Sequence, residues 1–158
     1  MDEAERLIER LNQSRSAMQR ALSSVDTEME LSPGWTIREV LAHIAGWDEV
    51  GTSTVRAHSA GQSPPRLEVQ GIDAFNALVI SKCEMLSYAE VVQYWRVARR
   101  QFVDALSEAP GEKLRDRMQF PWGETGNIAR GVSILSEHER EHAAEILEML
   151  SAQEGEGE

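Results

Sequence analysis

The stretch Trp35-Thr36-Ile37-Arg38-Glu39-Val40-Leu41-Ala42-His43-Ile44 decides the fold. It begins with a capping box, in which the Thr36 hydroxyl accepts a hydrogen bond from the amide of the third helical residue and the Glu39 carboxylate accepts one from the Thr36 amide. Apolar residues on either side occupy the hydrophobic staple positions. A helix therefore begins at Ile37, and apolar residues spaced three and four apart carry it to about His58.

Three more long helices are predicted from the same apolar spacing. The first covers residues 2–25, and the last runs from about Asn127 to Leu150. Between them, Ser87-Tyr88-Ala89-Glu90 forms a second capping box and opens a helix that ends near Glu108. Helices of about 20 residues are about 30 Å long, and strand signals are almost absent. The sequence therefore predicts an all-α fold, a four-helix bundle.

Two of the connections between these helices are long. Residues 59–71 contain the prolines and glycines typical of a loop, and a shorter helix is predicted over Ile72–Leu86. Residues 109–126 predict a second long, irregular connection. We therefore expect a single bundle domain over residues 1–152 with long connections and one extra short helix, followed by a disordered acidic tail over residues 153–158.

Acidic residues dominate the charge of the chain. Its 158 residues include 27 Asp and Glu against 16 Lys and Arg, which gives a net charge of −11 with neutral histidines. This charge argues against nucleic-acid partners and anionic membrane surfaces, and no apolar run reaches the roughly 20 residues that span a bilayer. The acidic N-terminus does not resemble a secretory signal, and the single cysteine, Cys83, cannot form an internal disulfide. We therefore expect a cytoplasmic protein.

Two histidines, His138 and His142, lie one turn apart on the predicted inward face of the last helix. An i, i+4 pair brings two imidazoles close enough to bind one ion with bonds of about 2.0–2.1 Å. His43 lies on the shoulder of the apolar face of the second helix and can turn inward. Three such ligands with an open fourth position match a catalytic zinc site. The alternative is that each histidine is a core or surface residue that is hydrogen-bonded to a neighbour, as we expect for His58.

The string His138-Glu139-Arg140-Glu141-His142 also satisfies the H-E-x-x-H pattern of zinc peptidases. We interpret this match as accidental, because the segment is rich in glutamate and no histidine follows His142 to complete the peptidase pattern. A third ligand must come from upstream, and His43 is the natural candidate.

Two carboxylates are predicted to point into the bundle, Glu139 from the last helix and Asp48 from the second. Buried carboxylates are costly unless they are paired. Either one could orient a histidine ring or act as a base near a metal-bound water, and Glu139 is the candidate catalytic residue. The alternative is an ion pair or hydrogen bond with an arginine of another helix.

Aromatic and basic residues supply the candidates for substrate binding. Trp47, one turn from His43, is either a wall of a pocket or a core residue. Trp122, in the irregular connection before the last helix, could cover the mouth of the bundle or anchor its loop. Arg96 and Arg100 share one helix face and could bind the carboxylate of an anionic thiol or substrate, with a solvated face as the alternative.

Two motifs resemble the DinB-like (DinB/YfiT) superfamily. The stretch Trp35–Ile44, followed by Trp47, is similar to its second-helix signature, and the segment from His138 to His142 is similar to its last-helix H-x-x-x-H. The resemblance implies a four-helix bundle that binds one divalent metal, usually zinc or nickel. Some members, including the mycothiol-dependent maleylpyruvate isomerases, carry Glu at the position of His138. In this chain the implied ligands are all histidines, namely His43, His138 and His142.

The resemblance also implies a small-molecule substrate, because characterised relatives are S-transferases and isomerases that use a low-molecular-weight thiol. In them the metal favours the thiolate, which is the nucleophile. We therefore predict a metal-dependent thiol S-transferase acting on a small electrophile, with a hydrolase less favoured. The alternative is a non-enzymatic bundle that binds or sequesters a small molecule or forms a homodimer, with a structural or vestigial metal site. Eight glutamates and one arginine from Glu137 onward favour a bound cation.

Overall fold

Four long helices form the bundle, and the computed structural model describes residues 1–156 of the chain. The helices are α1 (Glu3–Leu22), α2 (Ile37–Ser59), α3 (Ile72–Lys82), α4 (Tyr88–Glu108) and α5 (Ile128–Glu156). The short extra helix α3 packs against α2, while α2 packs along α4 and α1 packs along α5. The predicted all-α four-helix bundle with one extra short helix is confirmed.

Two small antiparallel hairpins occupy connections in which the sequence predicts almost no strand. One pairs β1 (Glu30–Ser32) with β2 (Trp35–Thr36), and Gly34 turns between them with a φ of +81° that favours glycine. The other pairs β3 (Met118–Gln119) with β4 (Thr125–Gly126). Strands of two or three residues are too short to show an alternating pattern, so the sequence does not reveal them.

The predicted capping boxes set the starts of α2 and α4. Glu39 accepts a hydrogen bond of 2.9 Å from the Thr36 amide. At α4, Ser87 and Glu90 exchange two hydrogen bonds of 3.1 Å, each from a backbone amide to the other residue's side chain. Both helices therefore begin where the sequence predicts.

Arg38 explains why α3 ends at Lys82, before the predicted end at Leu86. Its guanidinium donates to the backbone carbonyls of Cys83, Glu84 and Leu86 over 2.6–2.9 Å. These carbonyls have a charged side-chain partner and do not need a further helical turn to be satisfied. The same contacts tie the start of α2 to the end of α3.

The last helix is longer than the sequence predicts. We expect a disordered tail from residue 153, whereas α5 continues to Glu156. The residues that extend it are mostly Gln and Glu, which form helices readily, and Gly155 alone costs about 1 kcal/mol relative to alanine. The rest of the predicted tail, residues 157–158, lies outside the described residues.

The core surrounds α2, which is buried along most of its length. Gly51 lies where α2 meets α4, and a Cβ atom at this position would lie 2.7 Å from the Phe102 ring. The two helices can approach this closely only because Gly51 has no side chain. Within the described residues, no helix combines the length and the apolarity needed to cross a membrane.

Candidate metal centre

Three histidine side chains meet in the bundle with one ring nitrogen each at the centre. The Nε2 atom of His43 lies 3.2 Å from that of His138 and 3.1 Å from that of His142. The Nε2 atoms of His138 and His142 lie 3.0 Å apart. We call these residues the histidine cluster. The predicted convergence of His43 with the i, i+4 pair is what the structure shows.

Packing and hydrogen bonding hold the rings in this orientation. His43 is buried, and the ring of Trp35 packs against it in an edge-on arrangement with centroids 5.0 Å apart. The Nδ1 atom of His142 lies 3.2 Å from a carboxylate oxygen of Glu145. Because a carboxylate can only accept a hydrogen bond, Nδ1 carries a proton, so in the neutral tautomer Nε2 of His142 is the nitrogen that presents a lone pair to the cluster.

Burial keeps His43 and His138 of the histidine cluster neutral. Desolvation, together with the neighbouring His142 and His138, lowers the pKa of His43 to about 3. Desolvation lowers the pKa of His138 to about 4, with His142 again contributing. Neutral imidazole is the form that binds metal ions, so these two side chains do not have to lose a proton first.

The spacing of the three nitrogens fits a single divalent ion. Nitrogens bound at about 2.0–2.1 Å are about 3.4 Å apart at tetrahedral angles and about 3.0 Å apart at right angles. The observed separations of 3.0–3.2 Å lie between these values. Three hydrogen bonds cannot account for the contact, because mutual bonding around a triangle would need a donor and an acceptor at every Nε2. The donor set therefore fits a divalent transition-metal ion, with positions left for another ligand.

A second polar cluster lies in the same core. Arg99 pairs with Asp48 through Nε and with Glu139 through Nη1, each at 3.0 Å. Arg15 pairs with Glu139 at 3.2 Å and with Asp48 at 3.5 Å. We call Arg15, Asp48, Arg99 and Glu139 the charge cluster. Its two negative and two positive side chains balance within the protein.

These contacts engage Glu139 within the charge cluster, and its catalytic role stays a prediction. Glu139 is fully buried, and besides the two arginines it accepts hydrogen bonds from Ser14 and from Trp95. Both carboxylate oxygens are thus held by fixed donors. The alternative prediction, ion pairs with arginines of other helices, is correct for Glu139 and for Asp48.

Sequence reasoning missed Arg15 and Arg99 as members of the core. Arg99 follows the inward-facing Trp95 by one turn, so its place on the apolar face of α4 is a signal that could have found it. In contrast, Arg96 and Arg100, the predicted anion-binding pair, are exposed on α4. Within residues 1–156 neither forms an ion pair, and their role in substrate binding stays a prediction.

A cleft of about 420 Å³ opens beside the histidine cluster and includes His138 in its lining. Trp47 and Trp122 both line it, with ring centroids 5.8 Å apart in an edge-on arrangement. The indole of Trp47 donates a 2.7 Å hydrogen bond to Asn76, and Trp122 stacks on Phe120. Trp47 is therefore both a core residue and part of the cleft wall, and Trp122 both anchors its loop and faces the cleft.

The bundle, with its histidine cluster between α2 and α5, is of the DinB-like class of helical proteins. The family described as the mycothiol maleylpyruvate isomerase N-terminal domain matches residues 24–132. The chain belongs to this family. The matched region contains His43 but ends before His138, so the grouping of all three histidines rests on the structure.

Solved structures share the fold at low sequence identity. The mycothiol-dependent maleylpyruvate isomerase is 18% identical, with a TM-score of 0.76 over 90% of this chain and 60% of its own. The sibling lethal factor precursor DfsB is also 18% identical, with a TM-score of 0.76 over 95% and 96% of the two chains. YfiT from Bacillus subtilis, described as a probable metal-dependent hydrolase with an unusual four-helix bundle topology, is 16% identical, with a TM-score of 0.72 over 97% and 88%.

The chain spans about 60% of the length of the isomerase. These likenesses therefore establish the fold, whereas the activity of the longer isomerase does not transfer directly to this chain. A comparison with the curated proteins finds no match.

Proposed function

We propose that the chain is a metal-dependent enzyme in which His43, His138 and His142 hold one divalent ion, zinc or nickel. The observation that carries this proposal is the convergence of three Nε2 atoms within 3.2 Å of one another. Three protein ligands leave a position for substrate, as in catalytic rather than structural zinc sites. The acidic end of α5 supports the binding of a cation.

The reaction that we propose is the transfer of a small electrophile to a low-molecular-weight thiol. A divalent ion bound by the histidines would lower the pKa of the thiol and favour the nucleophilic thiolate. Once the thiol has lost its proton to solvent, its sulfur would form a bond to the electrophilic carbon as the leaving group departs with its electron pair. Trp47 and Trp122 would shield this reaction from water on one side of the cleft. The mycothiol dependence of the structurally similar isomerase supports the choice of a thiol.

The hydrolase remains the less favoured enzyme. Hydrolysis by a metal-bound water usually needs a base beside it, and the charge cluster already engages Glu139. The non-enzymatic bundle is the main alternative, in which the same histidines have a structural role. A cytoplasmic location and a homodimer stay predictions.

Metal binding is the first test of the proposal. Protein stripped with a chelator and incubated with zinc or nickel should retain one equivalent after desalting, as measured by elemental analysis. The His142→Ala variant should lose this metal while its helical circular dichroism is unchanged. The matched control is His58→Ala, which removes a half-buried histidine outside the cluster. If wild-type protein binds no divalent ion at micromolar concentration, the proposed site does not exist.

Thiol-dependent activity is the second test. Metal-loaded protein should accelerate the consumption of small electrophiles by at least one thiol in a thiol-by-electrophile screen, and the His43→Ala variant should not. Metal binding without any thiol-dependent acceleration would instead favour the non-enzymatic bundle.

A further inference from the structure

The cleft beside the histidine cluster is acidic. Three carboxylates line it, those of Glu124, Glu137 and Glu141, against the single guanidinium of Arg130. Glu137 and Glu141 lie one turn apart on α5 and flank His138 along the same side of the helix. Among the ion pairs of residues 1–156, none involves these three glutamates.

No other basic residue of the cleft lining offsets this charge. The lining comes from α2, α3, the β3–β4 hairpin and α5, and it includes no residue of α4. Arg96 and Arg100, which the sequence offers as partners for an anion, therefore do not line the cleft. The net charge of the whole chain, −11, has the same sign as the local excess of acid. A ligand with a carboxylate tail would be repelled at this edge.

The walls of the cleft suit a positively charged tail. Trp47 and Trp122 place indole rings in the lining, and aromatic rings together with carboxylates attract ammonium groups. His138 lines the same cleft and belongs to the histidine cluster, so the cleft with Glu137 and Glu141 lies directly beside the place where the thiol sulfur would be held.

We propose that the cleft selects small thiols whose tail carries an ammonium group, which lies against Glu137 and Glu141, over thiols with a carboxylate tail. This inference rests on the proposed function, because the sulfur end must be held at the histidine cluster. It names the charge class of the thiol and reverses the sequence-based expectation of an anionic thiol bound by Arg96 and Arg100.

Three probes of similar size test the selection: cysteamine, 2-mercaptoethanol and 3-mercaptopropionate, with ammonium, hydroxyl and carboxylate tails. Their dissociation constants with the zinc-loaded protein can be measured through intrinsic tryptophan fluorescence, to which Trp47 and Trp122 of the cleft contribute. The three thiols differ in acidity, so their constants cannot be compared directly with one another. The informative quantity is the ratio of the dissociation constants of cysteamine and 3-mercaptopropionate, compared between the wild type and a variant. In the Glu137→Gln, Glu141→Gln double variant, the preference for cysteamine should fall about tenfold.

The control is Glu148→Gln, which removes an exposed carboxylate of α5 outside the cleft lining and should leave the ratio unchanged. High salt should weaken the wild-type preference, because exposed charges are screened. If metal and thiols bind but the double variant has the wild-type ratio, this inference is wrong and the proposed function stands. If the wild type holds no metal, or the metal-loaded protein binds none of the thiols, the inference falls together with the proposed thiol chemistry.

Discussion

The histidine cluster and the charge cluster are two polar groups in one core, and they differ in whether the protein alone supplies partners for their polar atoms. His138 and Glu139 are consecutive on α5, yet their side chains join different clusters. In the charge cluster every carboxylate faces a guanidinium. In the histidine cluster three nitrogens of the same kind face one another. A cluster whose charges are paired within the protein stabilises the fold. Nitrogen lone pairs that converge on one point need a cation as their partner.

The largest effect that this comparison predicts is on stability, through the charge cluster. Replacing Arg99 with Met removes partners of Asp48 and Glu139 and leaves buried negative charge with only Arg15 to offset it. Breaking a buried ion pair from one side costs about 3–5 kcal/mol. The free energy of unfolding, measured by urea denaturation, should fall by this amount with or without metal.

Arg96→Met is the matched control, because Arg96 lies on the same helix but is exposed. Its free energy of unfolding should change by less than about 0.5 kcal/mol. Equal losses for Arg99→Met and Arg96→Met would show that the charge cluster does not stabilise the scaffold.

The contribution of the histidine cluster to stability should depend on bound metal, in contrast to that of the charge cluster. Zinc at about 100 times its dissociation constant should raise the free energy of unfolding of the wild type by about 2.7 kcal/mol. The His142→Ala variant should lack this gain, while its metal-free stability stays close to that of the metal-free wild type. Denaturation with zinc and with chelator measures both quantities, and an equal zinc-dependent gain in the two proteins would contradict the assignment of His142.

A smaller effect is expected from Glu145, which orients His142 from outside the cluster. Its carboxylate accepts from Nδ1 over 3.2 Å, and its side chain is 57% exposed. Partners of this kind contribute about 10–100-fold to metal affinity, and we expect the lower end for an exposed one. Zinc affinity by competition with a chelating dye should fall about tenfold in Glu145→Ala and recover partly in Glu145→Gln, whose amide oxygen still accepts. Glu148→Ala, one turn further along, should bind zinc like the wild type.

The sequence predicts the histidine cluster better than the charge cluster, and the reason is physical. The i, i+4 spacing of His138 and His142 is local, so a helical wheel places both on one face. Because no histidine follows His142, the residues make His43 the natural third ligand, and the resemblance to a known family points to the same residue. The wheel also places Glu139 inward, but it cannot name the partner, because Arg15 and Arg99 come from two other helices.

The helix boundaries show the same difference between features that depend on neighbouring residues and features that depend on residues far away in the sequence. The starts of α2 and α4 follow from capping boxes four residues long, and both predictions are correct. The end of α3 depends on Arg38, which lies more than forty residues earlier in the chain and donates to the backbone beyond Lys82. Helix ends set by contacts of this kind cannot be seen in the segment that they terminate.

The smallest predicted effect concerns Arg96 and Arg100, and it tests where the ligand binds. Both side chains are exposed on α4, outside the lining of the cleft and outside both clusters. The double variant Arg96→Gln, Arg100→Gln should therefore keep its zinc affinity within about twofold and its free energy of unfolding within about 0.5 kcal/mol. Its affinity for 3-mercaptopropionate should also be unchanged. A clear loss of mercaptopropionate binding would mean that an anionic ligand reaches α4, and the acidic cleft beside His138 would then not be where the thiol tail lies.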